Sequence, residues 1–310
     1  MKKDVLALTN AITDIFIEVS DQELKELGFK KGVVNDKELF YAHPDFQRLE
    51  KSAVKIIPGG SPANVAHSTA VLGLKSGLAG TVGNDELGRE YKRDVKKSGL
   101  ENLLATGNGR SGVCYILVTP DGEKTPVPDI RVAKKFSFDK KKLLEYSIFH
   151  TSAYELITNP GFVLDIMRDA KKKGLELSFD LADPAIPRII RKDINEALGL
   201  VDYLTLTEKE LESYTGLDQE RSIRELQGKH KILAIKKGEQ GSEIITPDAR
   251  YKIDRVPVNV INTTGAGDTY LAGILYGVPQ GWHPKDCGRM GSYVAAQVCG
   301  QVGARLCRLR

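Results

Sequence analysis

One stretch of this chain has the residue types and spacing to do chemistry on an anion: Val256-Pro-Val-Asn-Val-Ile261-Asn-Thr-Thr-Gly265-Ala-Gly267-Asp268-Thr-Tyr-Leu-Ala-Gly-Ile-Leu-Tyr-Gly277. An extended run ends at Asn262, a glycine-rich turn comes next, and from Asp268 onwards Leu271, Ile274 and Leu275 recur at helical spacing. Gly265 and Gly267 free the backbone to turn its amides outward, and the helix behind them adds its positive end, so the turn is built to hold an anion. Developing phosphoryl charge could be stabilised there. Asp268 reads in two ways. Asp is a favoured helix N-cap, but the run Thr263-Thr264-Gly-Ala-Gly supplies more donors than a cap needs. A carboxylate beside an anion hole could instead accept the proton of a hydroxyl attacking a γ-phosphate. With an ordinary Asp pKa near about 3.9, depressed further by a helix N-terminus, it is a weak base. Loose phosphoryl transfer asks mainly that such a base be well oriented.

A second segment, Ile56-Ile57-Pro58-Gly59-Gly60-Ser61-Pro62-Ala63-Asn64-Val65-Ala66, pairs two glycines with a helix start. The glycines allow a ligand close to the main chain, and Asn64, one turn into the helix, offers a donor and an acceptor, which suits a polyol. Turning the chain and capping the helix is the plainer reading. A third pair, Asn10 and Asp14, comes after the first apolar run. In α/β folds ligands bind beyond the carboxyl ends of strands, so these side chains are candidates for hydroxyl recognition, or simply solvated loop residues. Two other signals fail. Gly107-Asn-Gly109-Arg-Ser-Gly112 matches a dinucleotide fingerprint but precedes a strand, and Gly228-Lys229-His230 lacks the rest of a P-loop.

The elements that must position these residues alternate along the chain. Val5–Thr9, Gly77–Val82, Ser147–Thr151, Leu175–Phe179, Tyr203–Leu206 and Ile232–Ile235 read as buried strands. Helices lie between them, one opening at Ser61-Pro62 and another running from Pro160-Gly161 to a basic Lys171-Lys172-Lys173-Gly174 end. The fold class is therefore α/β, with a largely parallel central sheet flanked by helices. Residues 12 to 55 and 110 to 131 break the rhythm, the second as a hairpin about Pro120-Asp121-Gly122-Glu123. With no helix evident to cover their strands, these regions are expected to form a small β-sheet lid on one domain spanning residues 1–310.

Composition bounds the partners. The 310 residues carry a formal charge of +4, too small and too diffuse for nucleic acid or an anionic membrane. Cys114, Cys287, Cys299 and Cys307 form no metal or disulfide pattern, which favours a reducing cytoplasmic setting. The Met1-Lys2-Lys3 opening could begin a secretory signal, but Asn10 and Asp14 interrupt the apolar stretch behind it. No apolar run is long enough for a membrane span.

In these residues the chain resembles the ribokinase-like (PfkB) carbohydrate kinases. Gly59-Gly60-Ser-Pro-Ala-Asn64 is similar to their first signature and Asn262-Thr-Thr-Gly-Ala-Gly-Asp268 to their second, while Gly80-Thr-Val-Gly83-Asn-Asp85-Glu-Leu-Gly88 and Lys237-Gly238-Glu-Gln-Gly241 also fit. The spacing of Asn10 and Asp14 and the Ser178 to Pro184 stretch look most like the adenosine-kinase-like branch. The resemblance implies a ribokinase-like fold and an ATP- and Mg²⁺-dependent transfer of the γ-phosphoryl group to a hydroxymethyl group of a sugar or nucleoside. It implies Asp268 as base, Gly265, Ala266 and Gly267 as the anion hole, and Asn10, Asp14, Gly59, Gly60 and Asn64 around the acceptor. Lys236, Gly238, Gly241 and Thr264 would border the nucleotide, and Glu210 would organise the metal through water. A monovalent cation and a homodimer paired through the lid are further expectations. Two departures stand out: Thr207 replaces the Asn of an Asn-x-x-Glu element, and Lys124-Thr125 stands where an Arg-Thr pair is common. Thr207 leaves open a catalytically weak sugar- or nucleoside-binding sensor.

Overall fold

A computed structural model describes residues 2–301 and 303–307; Met1, which opens the signal-like Met1-Lys2-Lys3, lies outside the described residues. Thirteen strands occur among these residues: β1 Lys3–Leu8, β2 Ile12–Glu18, β3 Lys55–Pro58, β4 Ser76–Gly83, β5 Glu101–Gly107, β6 Gly112–Val118, β7 Lys124–Asp129, β8 Tyr146–Ser152, β9 Glu176–Asp180, β10 Tyr203–Thr207, β11 Ile232–Lys236, β12 Ser242–Ile245 and β13 Arg250–Ile253. Nine form the main sheet in the order β13-β12-β11-β10-β9-β8-β1-β4-β5. It is parallel from β5 through β11, and β12 and β13 add an antiparallel edge.

Both faces of the sheet are covered, which is why its strands are apolar runs and not alternating ones. Neighbours still divide by face. In β8, Ile148 packs with Val65, Leu271 and Ile274 of the Ser61–Val71 and Ala266–Gly277 helices, whereas Phe149 packs with Val163 and Met167 of the Pro160–Lys172 helix. All six strands read from the sequence are present, each within about a residue or two of its expected bounds, the ordinary scatter of strand ends. Val256–Ile261, read as extended, carries no strand pairing. Where β1 lies between β4 and β8 the connections diverge, placing a crevice beyond the strands' carboxyl ends.

The smaller sheet has the order β3-β2-β6-β7. Its β6–β7 hairpin turns where the sequence indicated, with Gly122 at φ +84° and its N–H donating to Thr119 O at 2.8 Å. The expectation that no helix covers this sheet is overturned. Short helices at Asp21–Glu26, Lys37–Ala42 and Phe46–Lys51 place Leu24, Phe40 and Leu49 against Ile15, Ile17, Tyr115 and Leu117. Ser20 and Glu23 close a capping box on the first, a signal present in the sequence but hidden by the helix's length of six residues. Asp85 ties the sheet to the body: it caps the Glu86–Lys97 helix and accepts from Ser111 N at 2.8 Å, just ahead of β6. Gly107 ends β5 and Gly112 begins β6, so the fingerprint-like glycines join two strands. No described helix is long and apolar enough to cross a membrane.

Candidate active site

Asp268 is the third residue of the Ala266–Gly277 helix, so it is not the N-cap; Gly265 is, at φ +78°. A side chain at Gly265 would clash as well as strain the backbone, since its Cβ would lie 2.1 Å from Ala304 O. With no cap to make, the Asp268 carboxylate is held from outside its helix. Ser61 Oγ donates to Oδ1 at 2.7 Å and Asn64 Nδ2 to Oδ2 at 2.9 Å. Ser61 and Asn64 sit in the first turn of the facing helix, and this explains their spacing of three. Burial pushes the Asp268 pKa up to about 6, against the two hydrogen bonds, which lower it. The expected depression by the helix end is thus outweighed by desolvation.

The N–H groups of Gly267 and Asp268 find no acceptor among the described residues. Ala266, expected in the same anion hole, differs: its N–H closes the turn onto Thr263 O at 3.2 Å. Thr264 is engaged too, its N–H on Asn262 Oδ1 at 3.0 Å and its hydroxyl accepting from the ammonium of Lys124. Lys124 belongs to β7, so the smaller sheet reaches the glycine turn.

A cavity of about 640 Å³ opens beside Asp268 and the glycine turn. Thr207, Glu210, Lys236, Gly238 and Gly241 line it, and Val256, Val258, Val260, Ala295 and Cys299 give it an apolar wall. Lys236 Nζ, which lines the cavity, bonds the buried Asp180 at Oδ2, 2.7 Å away. Burial alone would raise Asp180, but the ammonium beside it holds its pKa below the usual carboxylate range. Thr207 and Glu210 form a capping box, Thr207 N donating to Glu210 Oε2 at 2.8 Å and Glu210 N to Thr207 Oγ1 at 3.3 Å. Thr207, which stands in place of the Asn of that element, therefore caps the Glu208–Thr215 helix. Among the described residues no three His, Cys, Asp or Glu side chains converge to hold a metal directly. Since Lys236 already occupies Asp180, the donor set fits a cation held through water on Glu210.

None of the expected acceptor residues Asn10, Asp14, Gly59, Gly60 and Asn64 lines this cavity. Gly60 caps the Ser61–Val71 helix at φ +95°, where a Cβ would lie 2.6 Å from Thr9 Oγ1 and 2.8 Å from Asn10 O; one at Gly59 would lie 2.5 Å from Asp14 Oδ2. The close approach these glycines permit is thus to the protein's own β1 exit and Asp14. Asn64 uses both ends of its amide within the protein, Nδ2 on Asp268 and Oδ1 on Arg305 Nε at 3.1 Å. Asn10 donates from Nδ2 to Tyr154 O and Thr158 Oγ1, each at 3.1 Å, while its buried Oδ1 has no partner among the described residues. That acceptor is available to a ligand hydroxyl.

Two residues near the site escaped the sequence reading. Glu155, 1% exposed, accepts the Asn10 N–H at 2.9 Å and fixes the β1 exit; burial pushes its pKa up to about 7. Arg305 arrives from the C-terminal segment, far from either glycine motif. Buried ionisable groups of this kind leave no periodicity to find.

Asp14 has no hydrogen-bond donor among the described residues. Burial, helped by the charge of Asp268, raises its pKa to about 7, while Arg305 and Lys124 lower it. A folded-state value above the unfolded one means that the folded protein binds the extra proton, so stability falls as pH rises from about 4 to 7. Asp14→Asn is accordingly expected to stabilise the apo protein by about 1–3 kcal/mol at pH 8, with the gain shrinking toward pH 5. Urea unfolding at the two pH values measures it; a gain independent of pH would show that ionisation of Asp14 is not its source.

Residues 36–309 match the pfkB family carbohydrate kinase. The chain belongs to this family. It is 30% identical over 245 residues to probable fructokinase-7 of Arabidopsis thaliana, covering 73% of this chain and 71% of that one. With the ATP-dependent ribose-1-phosphate kinase of Halopiger xanaduensis it shares 31% identity over 222 residues, covering 70% and 72%. The crystal structure of adenosine kinase from Sinorhizobium meliloti superposes with a TM-score of 0.87 at 27% identity, covering 99% of this chain and 96% of that one. This pfkB-family chain therefore has the ribokinase-like fold, a large mostly parallel sheet with a smaller one.

Proposed function

We propose that this pfkB-family protein is an ATP-dependent kinase that transfers the γ-phosphoryl group to a hydroxymethyl group of a sugar or nucleoside, with Asp268 as the base. The observation that carries the reading is the position of Asp268: a half-buried carboxylate, held by two donors, beside free helix-start amides and near the Asn10 acceptor, which is unpartnered among the described residues. The carboxylate takes the acceptor's proton while the Gly267 and Asp268 amides meet the negative charge on the transferring group. Its raised pKa, about 6, places the base closer to neutral working pH than an ordinary Asp would be. The apolar wall of Val256, Val258, Val260 and Ala295 suits an adenine ring, and Lys236 suits the phosphates. Mg²⁺, when bound through water on Glu210, would neutralise phosphate charge. Asn10 and Asp14 hold acceptor hydroxyls, and the β2–β3–β6–β7 sheet is the lid over them.

Relatives named for fructose, ribose 1-phosphate and adenosine define the test. ADP release is measured with ATP, Mg²⁺ and each of the three, beside thermal shifts. Turnover of at least one acceptor is the expected result. Ligands that raise the Tm without any turnover would overturn the kinase reading in favour of a binding protein.

A further inference from the structure

The C-terminal segment 303–307 lies against both halves of the site. Leu306 is 1% exposed and packs with Val294 and Val298, Ala304 O faces the Gly265 turn, and Arg305 reaches Asn64. Arg305 is itself anchored, its Nη1 donating to Asp94 of the Glu86–Lys97 helix. An Asn side chain has two ends of nearly equal shape, and only its partners decide which end faces where. If the Asn64 amide turned over, its carbonyl would face the Asp268 carboxylate, acceptor against acceptor. A donor on the far side excludes that arrangement.

We propose that Arg305 is a positioning residue: by donating from Nε to Asn64 Oδ1 it forces the Asn64 NH₂ group onto Asp268 and so orients that carboxylate. The relay runs Asp94, Arg305, Asn64, Asp268, with no other protein group on Asn64 Oδ1 among the described residues. Its consequence for catalysis rests on the proposed kinase reading, whereas its effect on the amide does not. The titratable groups facing Asp268 are Asp14 on β2, Tyr154 on the Ala153–Thr158 helix, Asp180 on β9 and Lys236 on β11. None of them bonds to Asn64, so the amide reports this relay specifically.

The test uses the full chain carrying ¹⁵N-labelled asparagine, with the Asn64 side-chain signal identified by its absence in Asn64→Ser. In the wild type that signal should titrate with the neighbouring carboxylate, at a midpoint of about 6. In Arg305→Met the titration should be lost or split into two forms, with kcat down by about tenfold, KM for ATP changed little, and part of the loss recovered in Arg305→Lys. Asp94→Asn, which loosens the anchor without touching Asn64, should show the same change in smaller measure and decides the matter if Arg305→Met does not fold. An Asn64 signal that titrates identically in the wild type and these variants would overturn the proposal. If the wild type phosphorylates none of fructose, ribose 1-phosphate and adenosine, the kinase reading fails, and the amide titration still decides the role of Arg305.

Discussion

Asp268→Asn is expected to lower kcat by about 10² to 10⁴-fold while leaving ATP binding nearly intact. The substitution keeps the shape of the side chain and leaves the Gly267 amide and the Lys236 ammonium in place, so the groups proposed to hold the nucleotide survive. What it removes is the proton acceptor and its orientation by Ser61 and Asn64, both of which donate and would lose a charged acceptor. The pH dependence separates this from a folding defect. A base must be deprotonated to act, so wild-type activity should rise through a midpoint of about 6, the raised value that burial imposes on Asp268. In the variant that limb should disappear. Stopped-flow or steady-state kcat between pH 5 and 8, with ATP affinity measured in parallel, provides both readings. Wild-type turnover in Asp268→Asn would remove the base from the mechanism.

How far this site was legible in the sequence depends on how local each signal is. The glycine turn and its helix were readable because backbone conformation and dipole are dictated within a dozen residues. Asp268 was readable as a candidate, but its environment was not: whether a carboxylate at a helix start is depressed by the dipole or raised by burial depends on the facing Ser61–Val71 helix, some two hundred residues away in sequence. The same distance hid Arg305 and Glu155, whose roles exist only once their partners Asn64 and Asn10 are in place. Asn64 was legible as donor and acceptor, but not that one N–H goes to Asp268 and one lone pair to Arg305 inside the protein. For the main sheet the apolar runs sufficed, because strands buried on both faces carry a strong signal. The antiparallel edge strands β12 and β13 are only four residues each, with Arg250 exposed and Lys252 exposed, and the lid helices only six; segments so short give periodicity too few repeats to stand out.

Lys236→Met should have the other large effect, and on two quantities that can be pulled apart. Lys236 ends β11, half-buried, with its ammonium on the buried Asp180 at 2.7 Å. Asp180 retains Thr205 Oγ1 at 2.7 Å and Ala182 N at 2.8 Å, but without the lysine its charge is buried and unpaired. Breaking such a pair from one side costs about 3–5 kcal/mol, read as a lowered Tm and urea midpoint. The ammonium also stands where the chemistry would need it: a Cβ on Gly267 would be 3.2 Å from Nζ, so the positive charge sits at the mouth of the helix-start amides. Loss of one such charge stabiliser lowers kcat by about 10² to 10³-fold. The double variant Lys236→Met/Asp180→Asn distinguishes the two roles, because it removes the stranded charge without restoring the ammonium. Stability should return for the most part and kcat should stay low. If activity returned together with stability, Lys236 would serve only to neutralise Asp180, and the phosphates would have to find their positive charge elsewhere, for which Lys124 of β7, bonded to Asn262 and Thr264 of the glycine turn, is placed.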